Sequence, residues 1–294
     1  MRLRILGTAA GGGVPQWNCG CTGCAAARAR PALRRRHACV AVEAGGGRWL
    51  LVNATPDVAE QIGAVAELRP EPGSRRSPVA GVALTDAELD HVLGLPLLRE
   101  APDLHVLATG AVRHALSGGL RLDAVLAPYA NLTWAELGEE EPAVFGALEV
   151  RAVRVSGKRP RYAAGLDAPS DAWSAALRIT DGRDGGTVVY APCLAAWPPA
   201  LDAALSGAGC VILDGTFWDD EEPRRSGVRD RTATEMGHLP ITATRGPFAE
   251  LPAARRLYTH LNNTNPLVDP NADGHRALAA LGIEVAAEGA VIEL

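Results

Sequence analysis

Leu84-Thr85-Asp86-Ala87-Glu88-Leu89-Asp90-His91-Val92-Leu93-Gly94-Leu95 is the segment that decides the fold. It continues a short apolar run over residues 77–85 (SPVAGVALT), which has the length and the β-branched content of a buried strand. Beyond it, residues 88–100 (ELDHVLGLPLLRE) predict a helix kinked or started around its glycine and proline. A buried strand that opens directly into a helix is the unit of an α/β protein, and such proteins place functional groups at the strand's C-terminal end. Asp86, Glu88, Asp90 and His91 crowd that junction. The helix dipole favours carboxylates at a helix start, which accounts for Asp86 and Glu88 without any function. It does not account for an adjacent Asp90–His91 pair.

On the N-terminal side, residues 2–6 (RLRIL) predict a short strand running into a glycine-rich turn over 7–15. That turn is not G-x-G-x-x-G and no helix clearly follows it, so it predicts a turn beside a site rather than a dinucleotide cradle. Residues 37–44 and 48–54 flank Gly45, Gly46 and Gly47 as a hairpin, and 56–68 follow as a helix. On the C-terminal side, 104–109 predict a strand, 111–118 a helix, and 120–170 carry only weak signals. Residues 172–180 and 187–192 pair as strands across DGRDGG, and 197–207 predict a helix. A buried strand over 209–215 ends in Asp214, and a strand over 255–261 ends in His260. A helix over 273–282 and two short strands close the chain. Strands in hairpins that later alternate with helices predict mixed sheets covered by helices.

Three segments carry chemistry. Cys19-Gly-Cys21-Thr-Gly-Cys24 places three thiols where they can converge on one tetrahedral ion, predicting a structural zinc site. The fourth ligand expected is His238, in the polar, glycine-containing segment Glu235-Met-Gly-His-Leu-Pro, with water or another histidine as the alternatives. Cys39, Cys193 and Cys210 are scattered and are expected to be small buried side chains. Asp90 and His91 form the second segment, and His260, followed by the amide- and hydroxyl-rich Leu-Asn-Asn-Thr-Asn-Pro, the third. Two imidazoles and one carboxylate are the facial set suited to non-haem Fe(II), with positions left open for oxygen and substrate. Asp214 could serve as a further ligand, as an orienter of a ligating imidazole, or as a helix cap.

Composition narrows the function. The chain has 294 residues, 47% of them hydrophobic, and a net charge of -5, so nucleic acid and anionic membrane are not expected partners. No apolar run approaches the roughly 18 to 20 residues that span a bilayer. The N-terminus lacks the apolar core of a signal peptide, which predicts a cytoplasmic protein.

LGTAAGGGVPQWNCGCTGC, VNATPD, DAELDHVLGLPLLRE, YAP, DGTFWDDE, TEMGHLP and HLNNTNP occur in this order, from residue 2 to the C-terminal IEL. In that order and spacing they resemble the family of PQQ-biosynthesis protein B, in the metallo-β-lactamase superfamily. The resemblance implies one domain over residues 1–294, an αββα sandwich of two mixed β-sheets flanked by helices. The superfamily's usual motif, H-x-H-x-D-H, aligns with Asp86, Glu88, Asp90 and His91. Both leading histidines are absent, which argues against hydrolysis by two zinc ions. The cysteine cluster is similar to the zinc site of related phosphodiesterases, where a histidine completes the tetrahedron; this is a further reason for His238.

For activity, the resemblance implies an iron-dependent hydroxylase. It would use O2 on the tyrosine-derived ring of a cross-linked glutamate–tyrosine intermediate, with Fe2+ on Asp90, His91 and His260, and Asp86, Glu88 and Asp214 as further catalytic candidates. Arg99, Asn262, Asn263 and Asn265 are candidates to hold the small amino-acid-derived substrate. Trp17, Trp218 and Tyr258 are the aromatic candidates to stack on a quinone. Cys193 stands where the family leads one to expect glycine. The alternatives are a carrier for PQQ or its precursor, and a metal-dependent hydrolase. A homodimer is open as an assembly state.

Overall fold

A computed structural model describes residues 1–294 apart from Pro102 and Val228. β1 (Arg2–Gly7) pairs antiparallel with β2 (Cys39–Glu43), which turns back into β3 (Trp49–Val52). The turn between them holds Gly45, Gly46 and Gly47 at φ of 81°, 61° and 72°, the left-handed region that favours glycine. β4 (Val79–Ala83), β5 (Asp103–Ala108) and β6 (Asn131–Glu136) then add in parallel. The second sheet begins with β7 (Ala143–Phe145), β8 (Leu148–Ser156), β9 (Ser174–Asp181) and β10 (Thr187–Ala191), all antiparallel. It continues in parallel through β11 (Cys210–Asp214), β12 (Arg255–Thr259) and β13 (Glu284–Val285). β14 (Val291–Glu293) returns to β1, so the sheets run β14-β1-β2-β3-β4-β5-β6 and β13-β12-β11-β10-β9-β8-β7.

Side-chain alternation builds four layers from these strands. Along β2, Val40 and Val42 pack toward the other sheet, while Cys39 and Ala41 pack under the helices. Along β11, Cys210 and Ile212 point inward, and Val211 and Leu213 lie with Leu201 of helix Pro199–Leu205 and Phe248 of helix Ile241–Glu250. Each fully buried Val, Leu or Ile contributes about 1.5–3 kcal/mol, so both faces of the central strands are needed to hold the sandwich. The expected αββα sandwich is what forms.

Departures from the sequence-based expectations are local. The helix expected over 88–100 is a short helix, Leu89–Val92, and a 3-10 turn, Leu95–Leu98. Gly94 lies between the two, where a Cβ would sit 2.2 Å from the Thr55 carbonyl oxygen. The weak stretch 120–170 holds β6, β7 and β8; β6 is a largely exposed edge strand, so it needs no apolar alternation. Among the described residues no helix is long and apolar enough to cross a membrane. The loops after β4, β10, β11 and β12 meet at one end of the sandwich, where Asp86 bridges Ser174 at the start of β9.

Candidate metal centre and substrate cavity

Helix Leu89–Val92 carries His91 with no exposed surface. Its Nδ1 lies 2.7 Å from Asp86 Oδ2, which also accepts the Thr85 hydroxyl at 2.8 Å. Asp86 Oδ1 accepts the Glu88 N–H at 2.9 Å, so this carboxylate is fixed from both sides. Thr85 is held in turn by Asn53 Oδ1, which accepts its N–H at 3.0 Å. With Nδ1 committed, His91 Nε2 faces Asp90 Oδ2 at 3.6 Å and has no hydrogen-bond partner.

His260 caps β12 at φ 61°, an uncommon conformation for a non-glycine residue and one that clusters at functional sites. Its Nδ1 is 2.7 Å from the Thr216 hydroxyl, and its Nε2 is 3.5 Å from the same Asp90 oxygen. The two rings sit edge to face with centroids 5.2 Å apart. A buried nitrogen without a partner costs about 1–3 kcal/mol. Ligand atoms about 3.5 Å apart are what two donors show when each lies about 2.1 Å from one ion. Asp90, His91 and His260 therefore fit a metal ion.

The electrostatics agree. Burial disfavours charge on His91, but Asp86 and then Asp90 outweigh it and push His91 up to about 9. Burial opposes ionisation of Asp90, yet His91 and His260 hold it well below the usual carboxylate range. His260 goes the other way: burial lowers it, and Asp90 only partly offsets that. Burial, then the neighbouring Asp86, pushes the Glu88 carboxyl up.

Asp214, at the end of β11, spends both oxygens on protein groups. Oδ1 accepts the Thr216 N–H at 2.8 Å and the Thr216 hydroxyl at 2.6 Å; Oδ2 accepts the Leu194 N–H at 2.8 Å and lies 2.7 Å from His238 Nδ1. These bonds supply the orienter role; Asp214, His238 and His260 also each place a ligand atom within 4.8 Å of the others. His238 stacks on His260 with centroids 5.7 Å apart. This corrects the expectation that His238 completes the cysteine site: its ring is committed to Asp214 and faces the cavity.

The sulfurs of Cys19, Cys21 and Cys24 lie within 4.8 Å of one another, and among the described residues no His, Asp or Glu joins them. Asn263 does. Its Nδ2 is 3.1 Å from Cys19 Sγ and 3.4 Å from Cys21 Sγ, and its carbonyl oxygen accepts the Cys21 thiol at 3.4 Å. The expected pin between the N-terminal loop and the C-terminal half exists, but Asn263 supplies it. Gly23 permits the approach, since a Cβ there would lie 2.5 Å from the Asn263 carbonyl oxygen. Burial pushes Cys24 up to about 11, while hydrogen bonds from the Cys24 N–H and Asn263 outweigh burial and lower Cys21.

A cavity of about 540 Å³ opens over the centre. Its floor holds Asp86, Glu88, Asp90, Cys193 and His260; Lys158, Arg159, Arg161, Arg229 and Arg231 line its walls, with Tyr162, Trp173 and Phe217. The Arg159 guanidinium sits 4.7 Å from the centroid of the Trp173 ring, and the Tyr162 hydroxyl donates to the Ala87 carbonyl at 2.6 Å. Of the substrate contacts expected from sequence, Asn262 lines the cavity. Asn263 belongs to the cysteine cluster, and Asn265 is buried, donating to the Gly215 carbonyl at 2.8 Å. Arg99 is exposed and turned to the Pro96 carbonyl. None of the three expected aromatics lines the cavity: Trp17 is exposed, Trp218 lies under Arg245, and Tyr258 is core. Cys193, expected as buried packing, faces the centre instead; Cys39 and Cys210 are buried as expected. The basic wall went unrecognised, although Lys158-Arg-Pro-Arg-Tyr162 is visible in the sequence.

The β-lactamase superfamily domain matches residues 48–261. Coenzyme PQQ synthesis protein B of Azoarcus sp. (strain BH72) is 38% identical, with all of both chains covered. The protein of the same name from Xanthomonas campestris pv. campestris (strain B100) is 39% identical, again over all of both chains. The crystal structure of Zn(2+)-bound PqqB from Methylobacterium extorquens matches over all of both chains with a TM-score of 0.90 at 33% identity. A diphosphatase of the PhnP family, at 20% identity and a TM-score of 0.72, shares the fold.

Proposed function

The chain belongs to the coenzyme PQQ synthesis protein B family of the β-lactamase superfamily, and from that premise we propose that it serves the synthesis of PQQ as an iron-dependent hydroxylase. Its substrate in this reading is the tyrosine-derived ring of a cross-linked glutamate–tyrosine intermediate, with O2 as co-substrate. One observation carries the reading: His91 Nε2, buried and without a hydrogen-bond partner, and His260 Nε2 converge on Asp90 Oδ2, with Asp86 and Glu88 where the hydrolytic motif needs histidines. That is one three-ligand set rather than a dinuclear pair. A second ion, zinc, belongs on Cys19, Cys21 and Cys24; the M. extorquens relative is zinc-bound.

Iron on Asp90, His91 and His260 supplies the one-electron chemistry that makes dioxygen reactive toward an organic ring. The chain's own groups do the rest. Asp86 and Thr216 hold the two Nδ1 atoms, so both Nε2 atoms point to one place. His238, anchored to Asp214 through Nδ1, presents Nε2 to the cavity as a base for a ring hydroxyl proton. Glu88, whose carboxyl burial pushes up, lines the same cavity and is the candidate proton donor. Lys158, Arg161, Arg229 and Arg231 suit the carboxylates of an amino-acid-derived compound, and Trp173 and Tyr162 flank its ring.

Placing one oxygen atom in a ring C–H bond leaves the other to depart as water, which takes two electrons and two protons. The test is anaerobic loading with Fe(II), then 18O2, a candidate intermediate and ascorbate as reductant. The expected result is one 18O in the product, with no product from His260→Ala. Tight binding of the intermediate without oxygen uptake would instead support the carrier, which needs the basic wall but not the bare Nε2 of His91.

A further inference from the structure

Cys193 is the cavity group for which the proposed reaction has no use. It follows β10 through Pro192, is partly exposed to the cavity, and has its Sγ 3.9 Å from His260 Nε2. Its sulfur and one ring nitrogen each from His91 and His260 all lie within 4.8 Å of one another. A lone thiol would prove nothing, but a second observation points to the same space. His91 Nε2, on a side chain with no exposed surface, has no hydrogen-bond partner and is aimed there.

We propose that Cys193 is a thiolate ligand of the ion held by Asp90, His91 and His260, making this a centre of two imidazoles, one carboxylate and one thiolate. The inference rests on the metal-binding reading above. An ion about 2.3 Å from sulfur and about 2.1 Å from nitrogen, at a near-tetrahedral angle, sets sulfur and nitrogen about 3.6 Å apart. The 3.9 Å between Cys193 Sγ and His260 Nε2 needs only a small closure to reach it. On coordination the S–H bond breaks, its proton leaves to water, and the sulfur lone pair forms the bond to the ion.

This changes the centre in two ways. Two anionic ligands, Asp90 and Cys193, neutralise a divalent ion buried among carboxylates. The soft sulfur also selects zinc or iron over magnesium or manganese. With four protein ligands a tetrahedral ion has no vacant position, so an oxygen species or substrate atom enters by expansion to five coordinates.

The test uses the full chain with its cysteine cluster filled first by one equivalent of zinc, verified to remain after cobalt is added. Co(II) then reports on the second centre. The expected result is a near-ultraviolet sulfur-to-cobalt charge-transfer band with visible ligand-field bands. In Cys193→Ala the near-ultraviolet band disappears, and the cobalt binds more weakly by at least the roughly 10- to 100-fold that loss of an orienting partner costs. Retention of the cluster zinc shows that the variant is folded. Visible bands without the near-ultraviolet band, alike in wild type and Cys193→Ala, would overturn the proposal while leaving the metal centre intact. Failure of the zinc-filled wild type to bind cobalt would overturn both.

Discussion

Asp86 and His91 form one buried hydrogen-bonded unit, 2.7 Å between Oδ2 and Nδ1, with His91 Nε2 left without a hydrogen-bond partner 3.6 Å from Asp90 Oδ2. The carboxylate holds the imidazole from the side away from Asp90. Asp86→Asn keeps the shape and removes the charge. The second metal ion is expected to bind about 10- to 100-fold more weakly, measured by chelator competition, with the cysteine-cluster zinc unchanged. Unaltered affinity would show that Asp86 does not orient His91 for metal.

The same pair sets a pH dependence. Without an ion His91 titrates near 9, against 6.5 for an ordinary histidine. Its raised value adds stability that is complete below pH 6.5 and is lost as pH rises through about 9. Metal binding runs the opposite way, because the ion must displace the proton. Affinity of the second site should climb with pH and level off near pH 9, and His91→Gln should flatten both the fall in stability and the climb in affinity.

Thr216 is the matching device for His260. Its hydroxyl donates to Asp214 Oδ1 at 2.6 Å and accepts from His260 Nδ1 at 2.7 Å, which leaves His260 Nε2 unprotonated toward Asp90. Thr216→Val removes the bridge and strands His260 Nδ1, at about 1–3 kcal/mol, while Asp214 keeps the backbone N–H groups of residues 216 and 194. Urea unfolding should show the loss in stability, and iron retention after gel filtration should fall. A stable variant with full iron would assign the hydroxyl to packing alone.

Cysteine-cluster variants separate the two sites. Cys21→Ser should lose the cluster zinc and, at a metal concentration 1,000-fold above the dissociation constant, about 4 kcal/mol of stability. His238→Ala should keep that zinc, because its ring lies against Asp214 and His260 and not against the sulfurs. Loss of cluster zinc in His238→Ala, read by elemental analysis, would restore the ligand set expected from sequence.

What could be read from sequence was whatever is local. Asp90 and His91 share one helix turn, and Cys19, Cys21 and Cys24 share one loop, so spacing alone revealed both groups. His260 was legible because it ends an apolar strand. The assignment of His238 failed because it depends on which polar loop meets which. That is decided by β11 lying beside β12, which brings Asp214, Thr216 and His260 together and draws His238 to them. The basic wall escaped for the same reason: Lys158 and Arg161 follow β8, two strands from β10, and only the packed sheets bring them over Asp90. Asn263 gave no signal, because an amide is not a usual zinc ligand and its contact with the sulfurs spans the whole chain.

We propose that one centre built on Asp90, His91 and His260, separate from the cysteine cluster, holds iron and serves an oxygen-consuming step. Elemental analysis of anaerobically reconstituted wild type, His91→Ala and His260→Ala, alongside oxygen uptake with the tyrosine-derived intermediate, tests it most directly. The account predicts one iron and one zinc in wild type, zinc alone in each variant, and uptake only in wild type. Wild type that holds only the cluster zinc and consumes no oxygen would contradict it.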